Sequence, residues 1–172
     1  MKKLVLLVAV VAMTVLQSCE GPQGPQGAPG TPGFSAEAEV FEVSNVNFNA
    51  GNEWFLTYGL DPVILQSDNL LVYELVNVND GIDTWAMLPQ VYYFDAGQAQ
   101  YNFNFSYDQF SLFIDADFDF NLLPASFTSG KVFRIVIIPG YFSKGATAID
   151  YSDYHKVIQY YNIDDTNVRQ LN

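Results

Sequence analysis

Apolar and polar residues alternate with a period of two through most of the chain beyond Phe34. In Tyr101–Tyr107 one face is wholly aromatic and the other carries Asn102, Asn104 and Ser106. From Phe110 to Phe120 the even positions are apolar, and the odd positions from 115 onward are Asp115, Asp117 and Asp119. Both stretches predict half-buried strands of an antiparallel sheet. Lys131–Ile138 is nearly continuous in apolar residues and predicts a central strand buried on both faces. Arg134 interrupts it, and a buried guanidinium requires a carboxylate partner. The strand Asp115–Asp119 is the partner expected from its closeness in sequence. Further strands fit 38–48, 53–59, 70–78, 84–87 and 90–95, and Asn79-Asp80-Gly81 is a strong hairpin signal. About eight short strands with regular turns predict an all-β fold, an antiparallel β-sandwich. One helical stretch interrupts the pattern near the end. Tyr154, Val157, Ile158 and Tyr161 follow the i, i+3, i+4, i+7 spacing, with Ser152 as N-cap. This short C-terminal helix is expected on the edge of the sandwich.

The first residues follow another pattern. Lys2 and Lys3 precede an apolar run of 13 residues, Leu4–Leu16, then Gln17, Ser18 and Cys19, the sole cysteine. A membrane-spanning helix needs roughly 20 apolar residues, so the run is too short to span. A charged start, a short apolar core and a small residue before the cut mark an export signal. Leu16-Gln17-Ser18-Cys19 resembles the lipobox of bacterial lipoproteins. That resemblance implies a signal peptide over residues 1–18, cleavage before Cys19 and lipid on the Cys19 sulfur and new amino terminus. Several acyl chains hold a bilayer far more firmly than one, at about 0.8 kcal/mol per buried methylene. A lone cysteine leaves neither an internal disulfide nor a thiolate metal site.

Residues 19–33 form a tether, with glycine at 21, 24, 27, 30 and 33 and four of the eight prolines. Glycine at every third position with proline between is the collagen pattern, since only glycine fits the axis of three packed chains. Four triplets offset little of the ordering cost on their own, which favours an extended spacer of roughly 40 Å. A trimeric head would be needed to register a short triple helix. The remaining 34–172 is a single head domain, which holds all 27 aromatic residues.

Charge narrows the partners. Cleavage before Cys19 removes both lysines of the signal and leaves 19 acidic and 5 basic residues, a net charge of −14. Residues 20–130 contain no lysine or arginine. Nucleic acids and anionic headgroups both require clustered cations, so neither is an expected partner. Neutral sugars, cations and basic proteins remain open, beside a purely solubilising role for the charge.

Catalytic signals are weak. His155, the only histidine, lies off the apolar stripe of the helix and should face water. Zinc requires three or four nitrogen or sulfur ligands in most sites, which this chain does not supply. Asp115, Asp117 and Asp119 superficially resemble a calcium loop, but Phe120 stands where such a loop has glycine. The other oxygen-rich segment, Asn77–Asp83, reads as a hairpin turn. Paired carboxylates at glycosidase spacing arise by chance in a segment this acidic. Trp54 and Trp85 are read as core residues, with sugar stacking the sharper alternative.

The head resembles a group of Bacteroidota collagen-like lipoproteins of unknown function. The residues are Asp83-Thr-Trp85 with Leu88-Pro89, Tyr101-Asn-Phe103, Phe133-Arg-Ile-Val136 with Ile138-Pro139, Asp153-Tyr154 and Tyr161-Asn-Ile163. The resemblance covers nearly the whole chain and implies no activity. The expectation is a non-enzymatic, membrane-anchored surface lipoprotein of the bacterial cell envelope, without a cofactor or a metal. It is anchored through Cys19, in the outer membrane, and presents the sandwich to an extracellular or periplasmic ligand for binding or adhesion. Two alternatives stand beside it. One is a homotrimeric head of the C1q or TNF jelly-roll type, because collagen-like stalks often precede such heads; the other is a carboxylate-dependent glycan hydrolase.

Overall fold

The computed structural model describes residues 38–140 and 149–171. The signal, Cys19 and the Gly-X-Y tether lie outside the described residues. Nine strands form two sheets: β1 (Glu39–Val46), β2 (Phe55–Gly59), β3 (Asn69–Asn79), β4 (Ile82–Met87), β5 (Gln90–Phe94), β6 (Gly97–Phe105), β7 (Gln109–Ala116), β8 (Lys131–Ile138) and β9 (Arg169–Gln170). The five-stranded sheet runs β4-β3-β8-β1-β9 and the four-stranded sheet β2-β7-β6-β5. Every pairing is antiparallel except that of β9 with β1. The fold is the all-β sandwich with one short C-terminal helix that the alternation predicts.

Period-two patterning sets which residues fill the space between the sheets. Phe133, Ile135 and Ile137 of β8 point inward beside Leu70 and Val72 of β3 and Phe41 and Val43 of β1. They meet Tyr101 of β6 and Phe110, Leu112 and Ile114 of β7. Full burial of each such side chain contributes about 1.5–3 kcal/mol. Tyr101 is the hub: it stacks on Phe127 at 4.3 Å between ring centroids and donates its hydroxyl proton to the Phe127 carbonyl. Phe127 lies in a single helical turn, α1 (Ala125–Thr128). In β1, Val43 and Val46 both face inward although three residues apart. A bulge at this point inserts one residue, with Asn45 at φ 55°, and restores the inward face.

The second face of β8 is also buried, as its apolar run predicts. Val136 and Ile138 join Leu71, Tyr73 and Trp85 in a separate cluster beneath α2 (Tyr154–Tyr161). The helix therefore lies across the outer face of the five-stranded sheet, not on the sandwich edge. Its stripe of Tyr154, Val157 and Ile158 matches the exposed apolar surface that β3 and β8 present there. Its N-cap is Asp153, whose Oδ1 accepts from Lys156 N at 3.2 Å; Ser152 instead donates to Asp150.

The hairpin at Asp80-Gly81 has φ of 51° and 78° at its two central residues, the left-handed pair of a tight β-hairpin. The predicted strand Phe110–Phe120 stops at Ala116. Asp117 turns its carboxylate onto the backbone N–H of Gln98 at 2.7 Å, and Asp119 caps the turn Phe120–Leu122. Short acidic side chains compete with the ladder for backbone donors, and here they end it. Phe118 and Phe120 keep their inward positions against the core.

Candidate functional site

Cys19 lies outside the described residues, but the other residues that the sequence singles out have definite places. His155 is exposed on α2, edge-on to Tyr154. Asn77–Asp83 is the β3–β4 hairpin. Both tryptophans pack against clusters: Trp54 stacks on Phe120, and Trp85 lies under the Arg134 guanidinium at 4.3 Å. No group of three or more His, Cys, Asp or Glu side chains suited to a metal ion occurs among the described residues.

Arg134 is largely buried and paired, as its apolar surroundings require, but not with Asp115–Asp119. That segment belongs to the opposite sheet. The partners are Glu42 (Nε to Oε2, 3.2 Å), Asp165 (Nη1 to Oδ2, 3.3 Å) and Asp83 (Nη2 to Oδ2, 3.8 Å). Arg134 Nη1 also donates to the Tyr154 hydroxyl at 2.7 Å, which in turn donates to Asp165 at 2.8 Å. Burial alone would raise the Glu42 carboxyl, but hydrogen bonds from Gln170, Ser44 and Arg134 outweigh it and hold the group below its ordinary range. Every acid of this cluster is used to clamp chain segments together.

A second buried ion pair gave no signal in the charge pattern. Glu74, 1% exposed, receives Lys131 Nζ at 2.8 Å and the Tyr92 hydroxyl proton at 2.6 Å. Its position was detectable, since Glu74 continues the inward period of Leu70 and Val72. It ties β3, β5 and β8 together across the two sheets.

The two sheets differ in how their outer faces are covered. The five-stranded sheet is covered by α2, whereas the four-stranded sheet has no element packed on its outer face among the described residues. The outward positions of β6, a strand flanked by β5 and β7, are Gln98, Gln100, Asn102 and Asn104, four amides in succession. Asn102 donates to Asp115 Oδ2. The other three side-chain amides make no hydrogen bond to the protein among the described residues. Registers place Tyr93 beside Gln98 and Val91 beside Gln100 on one side. On the other side they place Asp115 beside Gln100, and Phe113 beside Asn102. Phe113 stacks on Phe55 of β2 at 5.5 Å. Tyr93 is 79% exposed, the largest exposure of any bulky apolar or aromatic side chain described.

A groove of about 270 Å³ crosses this face, lined by Val91, Gln98, Gln100, Asp115 and Asp117. That volume falls just below the range of small-ligand sites, roughly 300–1,000 Å³. Asp115 and Asp117 each already accept a hydrogen bond from the protein. The amide row runs through Gln98–Asn104 in the sequence, but the aromatic alternation that marks the strand begins only at Tyr101, which hides the first half of β6. No protein-family model matches the chain, and neither a curated protein nor a solved structure is significantly similar to it.

Proposed function

We propose that the chain is a non-enzymatic lipoprotein of the bacterial envelope, anchored in the outer membrane through Cys19, whose β-sandwich binds a ligand. The observation that carries this reading is the unequal covering of the sheets. One has α2 packed on its outer face, while the other turns a row of amides, exposed rings and a groove to solvent. Exposed polar groups with open hydrogen-bonding capacity around a concavity favour recognition. The carboxylates near the groove are engaged by protein donors, and those around Arg134 serve as a clamp, which favours binding over hydrolysis. The lipobox-like Leu16–Cys19 and the Gly-X-Y tether supply an anchor and a spacer, and the resemblance to Bacteroidota collagen-like lipoproteins agrees with that address.

The test is protease shaving of intact cells expressing the full chain. Loss of the head without cell lysis supports a surface-presented binding module. A head protected in intact cells and cleaved only after outer-membrane disruption places it in the periplasm and removes the surface assignment.

A further inference from the structure

We propose that the outward face of β5, β6 and β7 binds a neutral glycan, with the β6 amides as the hydrogen-bonding row and Tyr93 as the stacking ring. This deepens the binding-module reading and rests on it. Three observations select the ligand class. The first is charge. The four-stranded sheet lies wholly within residues 55–116, a span without lysine or arginine. Asp115 and Asp117 at the groove repel a phosphate, sulfate or uronate, and neither makes an ion pair among the described residues. The second is hydrogen-bonding capacity. Each carboxamide offers two donors and a carbonyl acceptor in fixed geometry, which suits vicinal hydroxyls that both donate and accept. A strand repeat of about 3.4 Å places same-face side chains about 7 Å apart, so the row can follow an extended chain and not only a single ring. The third is the exposed aromatic surface. Tyr93 flanks the amide row at Gln98, and the stacked Phe55–Phe113 pair flanks it at Asn102. A sugar ring has an apolar C–H face, and an exposed aromatic ring shields that face from water. A basic peptide would be drawn by the acids but would leave the uncharged amide row with little to recognise.

The experiment uses the full lipidated chain in a detergent without a sugar headgroup. It is applied to an array of neutral oligosaccharides, their uronate and sulfated counterparts, and a basic protein control. Retention by one or more neutral glycans is expected, with Gln100→Ala and Tyr93→Ala each weakening it by about tenfold. The melting temperature should be unchanged, because both side chains are outside the core. Gln159→Ala, on the exposed side of α2, should bind as the parent does. Absence of neutral-glycan binding by the folded parent overturns the proposal, as does binding that survives the Tyr93→Ala/Gln100→Ala double change. Preferential capture of the basic protein also overturns it, while leaving the binding-module reading intact.

Discussion

Arg134 joins three stretches of chain that are far apart in sequence: Glu42 on β1, Asp83 on β4 and Asp165 beyond α2. The aromatic walls of Trp85 and Tyr154 enclose it, so removing the cation leaves acids crowded in a partly dry site. Arg134→Met is therefore expected to cost about 3 kcal/mol in urea unfolding. Combining it with Glu42→Gln should be milder than the sum of the two single changes by about 0.5–3 kcal/mol, because both act on one network. The pH dependence follows from the lowered Glu42 carboxyl. A depressed folded-state value stabilises the fold above the unfolded carboxyl range, and that contribution is lost as pH falls through the folded value. Glu42→Gln should flatten the acid limb of the stability curve; an unchanged limb would show that another acid dominates. At Cys19, replacement by alanine should leave the protein exported but no longer held by membrane. Fractionation with palmitate labelling reads both properties, and a variant that stays with the membrane beside an unlabelled parent contradicts lipidation.

Among the elements, β8 is legible residue for residue, because a short, β-branched apolar run between Gly130 and Pro139 fits a strand with both faces covered. The helix was legible through its stripe, but its cap and its docking face were not. Ser152 and Asp153 are both good N-caps by type, and only the local turn decides that Ser152 bonds to Asp150. Asp153→Ala should lower the melting temperature, and Ser152→Ala clearly less. The docking face is non-local: it depends on Tyr73 of β3 and Trp85 of the neighbouring β4 joining one cluster, which no periodicity conveys. The choice of Glu42 over Asp115 as Arg134's partner escaped for the same reason, since sheet membership, not sequence proximity, decides it. Gly97 marks where β7 is forced to end. Its φ is 147°, and a Cβ there would meet Asp117 Oδ1 at 2.1 Å. Gly97→Ala should destabilise by about 1–3 kcal/mol, and Asp117→Ala in the same chain should recover the steric part of that loss. Equal melting of Gly97→Ala and its parent would mean that the β5–β6 turn rearranges freely.

At the scale of the whole molecule, the open question between the two head architectures is association. A triple-stranded tether of four Gly-X-Y triplets supplies little registering force, so a stable trimer would need the heads to bury a large shared surface, typically well over 1,000 Å². Among the described residues, the exposed large apolar side chains do not gather into one such area. Val76, Val78 and Ile82 lie near the tip of the β3–β4 hairpin, Phe55 on the outer face of β2, and Phe105 and Tyr107 around the β6–β7 turn. Scattered exposure of this kind is ordinary for a monomer. Residues 34–172 hold 18 acids against 5 bases, and their net charge of −13 adds mutual repulsion between copies, which weakens in salt. The head Phe34–Asn172 is therefore expected to scatter light as a monomer at low and high salt alike. A threefold mass that persists on dilution would put the trimeric jelly-roll reading first. A trimer seen only at high salt would instead point to charge repulsion masking a weak apolar contact, for which the β3–β4 tip is the place to look. Ile82→Asp, at a side chain 68% exposed, should then abolish the association without lowering the melting temperature.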